Sequence, residues 1–508
     1  WDAARESLLL AVDRFGIKRL YYASDERRVA FAGKPSALLA APGVDRAVDP
    51  TAIYSYLNFG YLPGAESAFA GIRRLEPGHF LVVTPRRGEP RRYWDLSYAE
   101  EAMSEADAAE QMYRLTEAAV REALGGARSK ETGAFLSGGT DSSTIVGLLA
   151  RRTGERVNAF SIGFAEERYN ELRYAELAAR HFGAAHYTRT VTAEDALATM
   201  PRLVEAYDEP FGNNSAIGTL FCAELARECG VTRLLAGDGG DEIFGGNAHY
   251  ATDAVFARYQ RVPRLIRRGA LEPLLHRLPD SAPSVLGRAK RYVSRANLPA
   301  ARRFYSYGFF FAQNAATFLD PDFVASVDLD APWRLVQQHF DTVEASSELN
   351  RRLYIDLKLA IGANDLLKVT RTAELAGLAV RFPLLDPALV GFTTGLPAHF
   401  KVRGLEKRYL FKRAFKDLLP RDVLAKRKHG FGVPTSSWLK NHAGFQAFAR
   451  DTLRSARAAS RGYFRPDAVD ELFRRHAVDT TPYYGDVLWT VLMLELWHRR
   501  HVDVAKTA

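Results

Sequence analysis

The stretch that most constrains this chain is Gly133-Ala134-Phe135-Leu136-Ser137-Gly138-Gly139-Thr140-Asp141-Ser142-Ser143. Gly133–Leu136 reads as a short buried strand, and Asp141–Arg152 as a helix that ends near Gly154. A strand that turns through two glycines into a helix aims the helix N-terminus at whatever lies beyond the strand's end, and that end attracts anions. Gly138 and Gly139 carry no Cβ, so backbone N–H groups can close on a phosphate, and Ser137, Ser142 and Ser143 add hydroxyl donors. Asp141 is an acid in an anion nest, which is unfavourable unless a cation sits there; a magnesium ion bridging Asp141 and phosphate oxygens resolves the conflict. No Gly-Lys-Ser/Thr is present, so the loop is not that of kinases and GTPases. It reads as a pyrophosphate-binding loop of an ATP-using enzyme.

The surrounding pattern sets the fold class. Ala108–Leu124 has helical periodicity, Val157–Phe164 reads as a strand, Arg173–Phe182 as a helix and Leu234–Ala236 as a third strand. Strands alternating with helices predict an α/β fold with a parallel sheet. Beyond about residue 250 the chain reads as mostly helical, ending in an apolar helix over Val487–His498. Residues 1–97 differ: Leu8–Val12, Leu20–Ala23 and Phe80–Val83 are short apolar runs punctuated by Gly and Pro, interrupted by one helix near Pro50–Leu57. Arg86–Arg91 reads as a surface turn.

A second loop follows the third strand: Gly237-Asp238-Gly239-Gly240-Asp241-Glu242, then Phe244-Gly245-Gly246. It lies at a strand's C-terminal end, the edge where open α/β sheets bind ligands. Asp241 is a candidate second magnesium ligand, and Asp238 a candidate group to orient or deprotonate a nucleophile. The run Lys426-Arg427-Lys428-His429-Gly430-Phe431-Gly432 offers cations to balance a triphosphate.

Composition narrows the class further. With 508 residues and 47% hydrophobic content the chain can bury a large core. Its net charge is +9, but Lys and Arg are spread along the chain, which favours a solvated basic surface with a positive ATP cleft over a nucleic-acid arm. Cys222 and Cys229 form no C-x-x-C pair; seven apart on a helix, both are expected to face the core, reduced, in a cytoplasmic setting. No run of 18 apolar residues marks a membrane span. The chain opens at Trp1 without Met, so residues upstream are expected to have been lost or left out.

Taken together, these motifs resemble asparagine synthetase of the glutamine-hydrolysing type over nearly the whole chain. The resemblance rests on Asp13-Arg14-Phe15-Gly16-Ile17-Lys18 with Leu20-Tyr21-Tyr22, Pro77-Gly78-His79, the pyrophosphate loop, Phe160–Phe164 and Asn170-Glu171. It continues through the Gly237–Gly246 loop, Arg381–Asp386, the Lys428 region and Leu492–Trp497. It implies a class II glutamine amidotransferase domain, represented in residues 1–97 by its rear portion only, and an ATP-pyrophosphatase domain of the adenine nucleotide α-hydrolase-like type over 98–508. It also implies ATP and Mg²⁺, with aspartate and ammonia as small-molecule substrates. In that reading Ser137, Gly138, Gly139, Asp141, Ser142 and Ser143 hold pyrophosphate, and Asp141 and Asp241 hold the metal. Leu136, Ile162 and Gly237 line the adenine and ribose pocket, and Asp238 and Lys428 are catalytic. No nucleic-acid or membrane partner is expected, and a homodimer is left open.

Three departures qualify the resemblance. No Cys lies near residue 1, so glutamine hydrolysis is not expected of this chain as given. Thr370-Arg371 stands where the resemblance implies Asp-Arg, and Asn213-Asn214-Ser215 in a stretch that often carries Asp. Rival readings keep the adenylation and change the acceptor (β-lactam or lasso-peptide closure, surface-polymer amidation), or make the chain a tRNA-modifying enzyme or a non-catalytic fragment.

Overall fold

The computed structural model describes residues 1–25, 28–84, 88–126, 129–276, 285–305, 308–310, 313–426 and 432–503. The N-terminal part contributes strands β1 (Leu8–Ala11), β2 (Tyr21–Ser24), β3 (Val29–Ala32), β4 (Arg73–Arg74), β5 (His79–Val83) and β6 (Arg91–Arg92). They form two antiparallel sheets of order β1-β5-β6 and β3-β2-β4. Period-two alternation explains the first: Leu10 faces Leu81 in register, and both close on Leu75 and Val12 while Leu9 points to solvent. Between β3 and β4 the chain forms the helix Pro50–Phe59. Asp49 caps it by accepting from the N–H groups of Thr51 and Ala52, Pro50 starts it, and Gly60 ends it in the left-handed conformation. Of the turn expected at 86–91, Arg86 and Arg87 lie outside the described residues.

The central sheet is parallel throughout. Its strands are β7 (Thr132–Phe135), β8 (Asn158–Phe164), β9 (Ala185–Val191), β10 (Arg233–Leu235) and β11 (Ala379–Arg381), in the order β11-β10-β7-β8-β9. From β7 the chain winds to one side through β8 and β9, then crosses back to lay β10 on the other flank of β7. The crevice between the C-terminal ends of β7 and β10 is therefore a topological switch point, the place where such sheets bind ligands. The α/β class and parallel sheet read from the sequence hold. Two strands were not anticipated: the strand at 233–235 is the fourth of this sheet, not the third. β9 escaped because it is an edge strand whose Tyr187 and Thr188 are exposed, so it lacks a continuous apolar run.

The cysteine expectation is half corrected. Cys222 is buried, but Cys229 caps the C-terminus of the helix Ser215–Glu228 and is exposed. Seven residues is two turns of a continuing helix, and this helix stops before the second turn closes over Cys229. Among the described residues no helix is long and apolar enough to cross a membrane.

Two adjacent acids join the parts of the molecule. Asp208, left-handed at φ 67°, ends the helix Ala193–Tyr207; its carboxylate accepts from the Ser36 N–H at 2.6 Å, and its carbonyl accepts from the Trp497 indole at 3.0 Å. Glu209 accepts from the Tyr21 hydroxyl at 2.7 Å and the Ala68 N–H at 3.2 Å. The N-terminal sheets, the central helices and the C-terminal helix Tyr483–Trp497 thus meet at one corner. Glu209 is only 5% exposed, so its removal leaves two buried donors without an acceptor. Glu209→Ala is expected to lower stability by about 3 kcal/mol. Thermal unfolding checks this, with the N-terminal region melting at a lower temperature than the rest.

Candidate functional site

The first loop leaves β7 at Leu136, whose N–H donates to the Phe160 carbonyl and whose own carbonyl accepts from the Ser161 hydroxyl. The chain then turns at Gly138, φ 67°, pressed against the helix Leu172–Phe182: a Cβ there would lie 2.4 Å from the backbone of Tyr174 and Ala175. Only glycine fits, and the turn delivers the chain into the helix Thr140–Thr153. Ser137 and Ser142 brace the turn. The Ser142 hydroxyl accepts from the Ser137 N–H at 3.2 Å, lies 3.1 Å from the Ser137 hydroxyl and donates to the Gly139 carbonyl at 3.3 Å. Ser143 is fully buried, and its hydroxyl has no partner among the described residues.

The second loop leaves β10 beside the first. Gly240 approaches Asp141 so closely that a Cβ would fall 2.4 Å from the carboxyl carbon, and a Cβ at Gly237 would touch Asp141 and the Ser142 N–H at 3.2 Å. The switch point thus packs the Gly237–Gly246 loop directly onto Asp141. Among the described residues the carboxylates of Asp141 and Asp241 share a cation. That cation is the Arg408 guanidinium, which donates to both oxygens of Asp141 and to Asp241. Burial works against the guanidinium's charge, but the two acids outweigh it and raise its pKa above the ordinary arginine value. Arg408 was not singled out from the sequence; it lies 267 residues from Asp141 and belongs to no spaced motif.

Beyond the carboxylate pair sits a second ionic group. Asp238 faces Lys368 at 3.9 Å, and Lys368 pairs with Asp365 at 2.8 Å. Burial, opposed by Lys368 and reinforced by Asp365 and Asp141, pushes the Asp238 carboxyl up to about 6. Asn213 donates to Asn364 at 2.9 Å and to Asp365 at 3.4 Å, so the Asn213–Ser215 stretch joins this group. Asp365 ends a π-helical stretch, Asp356–Asp365, a distortion frequent at functional sites. Lys368 and Asp365 were also missed; their only signal is a Lys three residues after an Asp, the commonest pattern on any solvated helix.

The remaining sequence candidates are distributed as follows. Leu136 and Ile162 are 1% and 7% exposed, lying under the crevice, and Gly237 is half-buried beside it. Lys426 reaches the first loop, donating to the Ser137 carbonyl at 3.3 Å and pairing with Glu171 at 3.3 Å above the Tyr174 ring. Lys428 lies outside the described residues. Thr370 is buried with an unpartnered hydroxyl, and Arg371 faces away from the crevice, donating to the Gly33 carbonyl at 2.9 Å and to Glu374.

Among the described residues no three or more His, Cys, Asp or Glu side chains converge as a metal cluster. Magnesium that arrives with phosphates needs only one or two carboxylates. The hard oxygens of Asp141 and Asp241, both within reach of the Arg408 guanidinium beside the Ser137–Ser142 turn, fit that requirement.

Comparison with known proteins agrees with this architecture. The asparagine synthase family model matches residues 90–499, and the glutamine amidotransferase domain model matches residues 1–94. Asparagine synthetase [glutamine-hydrolyzing] 1 of Bacillus subtilis is 26% identical over 506 residues, covering 99% of this chain and 77% of that protein. A putative asparagine synthetase [glutamine-hydrolyzing] of Mycobacterium tuberculosis H37Rv is 29% identical over 513 residues, 99% of this chain and 76% of that protein. Amidase chyE of Penicillium rubens is 28% identical over 284 residues, 50% of this chain and 40% of that protein. A parallel sheet whose switch point carries two acidic glycine loops, with a family match across four-fifths of its length, places the chain in the asparagine synthase family, as an ATP-using ligase of the asparagine synthetase type.

Proposed function

We propose that the enzyme uses ATP to adenylate a carboxylate, that of the aspartate side chain, and passes the acyl group to ammonia, giving asparagine, AMP and pyrophosphate. The observation that carries this reading is the convergence of Asp141 and Asp241, from two loops, beside the Ser137–Ser142 turn at the switch point. In the first step a carboxylate oxygen of the acceptor bonds to the α-phosphorus of ATP and the pyrophosphate leaves. The backbone of Ser137–Gly139 and the N-terminus of the helix Thr140–Thr153 hold that leaving group. Asp141 and Asp241 are the residues that would hold magnesium, which would supply charge neutralisation on the pyrophosphate oxygens. Lys426, already at the loop, and Lys428 add positive charge as the leaving group develops its own. In the second step ammonia bonds to the acyl carbon, AMP leaves, and the proton shed by the nitrogen passes to the Asp238 carboxylate.

In this reading Asp141 acts chiefly as the phosphate bond breaks. Asp141→Asn is expected to slow ammonia-dependent AMP formation by a factor of about 100 or more. Unchanged AMP formation in an ammonia-plus-aspartate assay would remove Asp141 from the site.

A pH profile tests Asp238. Its carboxyl is raised to about 6, so it is protonated and unable to accept a proton below that value, and becomes competent as the pH climbs through it. At a fixed concentration of free NH3, the rate of amide formation is expected to fall about tenfold per pH unit below 6, and the Asp238→Asn variant to be slow with that limb absent. A limb that persists in Asp238→Asn assigns the titration to another group.

The acceptor is tested directly. Pyrophosphate release should be stimulated by aspartate. The rival, the same chemistry on a different carboxylate, is favoured by Thr370, whose buried hydroxyl stands where the resemblance implies an aspartate, and by Asn213 turned into the Asp365 network. Release that ignores aspartate and responds to another carboxylate decides for that rival.

A further inference from the structure

Arg408 combines three unusual properties. It is a non-glycine residue in the left-handed region, φ 55°, where L side chains are uncommon. Its N–H donates to the Gly245 carbonyl at 3.3 Å, so the strained turn is pinned to the end of the second acidic loop. Its side chain, 8% exposed, is held between two carboxylates that are 17% and 19% exposed. Gly246 completes the fit: a Cβ there would lie 2.0 Å from the Asp241 carboxylate and 2.4 Å from the Arg408 guanidinium, so a side chain at this position would have to displace that ion pair. Backbone strain retained at a cleft, with the surroundings built tightly around its result, is the pattern expected where the strained residue has a task.

The task follows from counting donors and acceptors. The guanidinium takes both oxygens of Asp141 and one of Asp241. Those oxygens are the ones a divalent cation would use. A carboxylate oxygen engaged by a guanidinium N–H and directed at a metal in the same place would bring two cations into contact at low dielectric, which is strongly repulsive. Occupation by Arg408 and by a metal ion at that position therefore exclude one another. The exchange has a natural direction. A bare divalent ion must strip the guanidinium from two acids and leave it buried and unpaired, whereas an ion arriving with a nucleotide brings phosphate oxygens that accept the displaced guanidinium bidentately.

We propose that Arg408 is a built-in counter-cation that occupies the metal position between Asp141 and Asp241 in the nucleotide-free enzyme and transfers to the pyrophosphate group when the metal–nucleotide complex enters. It thereby holds the two acidic loops together in the empty cleft, blocks free divalent cations, and makes metal binding conditional on nucleotide. Arg408 is a positioning residue for the carboxylates before the reaction and a phosphate ligand during it. The proposal rests on the reading of Asp141 and Asp241 as the metal pair.

The test is a binding measurement rather than an assay of turnover. Manganese(II) titrated into the full chain and followed by electron paramagnetic resonance should show weak binding without nucleotide and at least tenfold tighter binding with a non-hydrolysable ATP analogue. Arg408→Gln removes the charge while keeping a hydrogen-bonding side chain. It should bind free manganese at least tenfold more tightly than the parent and lose most of the dependence on nucleotide; Arg408→Lys should restore the parent behaviour. Equal free-manganese affinity in the parent and Arg408→Gln overturns the proposal. If Arg408→Gln does not fold, tight nucleotide-independent manganese binding by the parent alone overturns it. Failure of the metal pair itself reads differently: Asp141→Asn would then leave manganese binding in the presence of the analogue unchanged.

Discussion

The cleft depends on one ionic contact, the Arg408 guanidinium between Asp141 and Asp241. Without a cation, two half-buried carboxylates on neighbouring loops would repel at a distance too short for water to screen them. With it, the glycine loop after β7 and the acidic loop after β10 are drawn against each other, close enough that a side chain at Gly240 or Gly246 would have to push the Asp141, Asp241 or Arg408 side chains aside. The shape of the site is thus an electrostatic consequence as much as a packing one. The same contact explains how the protein can keep two acids side by side in a low-dielectric crevice.

The sheet order makes that contact available. β7 and β10 are neighbours although nearly a hundred residues separate them, and the reversal of winding direction between them opens the crevice into which both loops project. Lys426, from a distant part of the chain, reaches the same edge and touches the Ser137 carbonyl. Lys368 and Asp365, carried by the helical segment before β11, bring a second pair of opposite charges beside Asp238. Oppositely charged groups from widely separated regions of the sequence therefore face one crevice.

The N-terminal sheets are joined to this machinery by polar contacts. Arg19 donates to the Ala363 carbonyl at 2.5 Å on the π-helical stretch that ends at Asp365, and Lys18 pairs with Glu374 at 2.6 Å. Arg371 reaches the Gly33 carbonyl at 2.9 Å. The segment that carries Asp365 and Lys368 thus contacts the N-terminal region on one side and the crevice on the other. A disturbance of the Glu209 corner has a short physical route to the Asp238 network.

What the sequence determined by itself was local. Gly138, Asp141, Ser142 and the Gly237–Gly246 loop were legible because strand, turn and helix each leave a signature within a few residues, and because an acid in an anion nest calls for a cation wherever it occurs. The helix stop at Gly154 was legible for the same reason, since capping is a matter of adjacent residues. What the tertiary structure decided was everything set by distance across the chain. Cys229 left the core because its helix ended one residue before it. β9 was hidden because edge strands do not need continuous apolar sequence. The cation that answers Asp141 in the folded chain is Arg408, which no spacing rule connects to it. A sequence records which charges need partners; only the fold, by placing β10 against β7, decides which partner is near enough to serve.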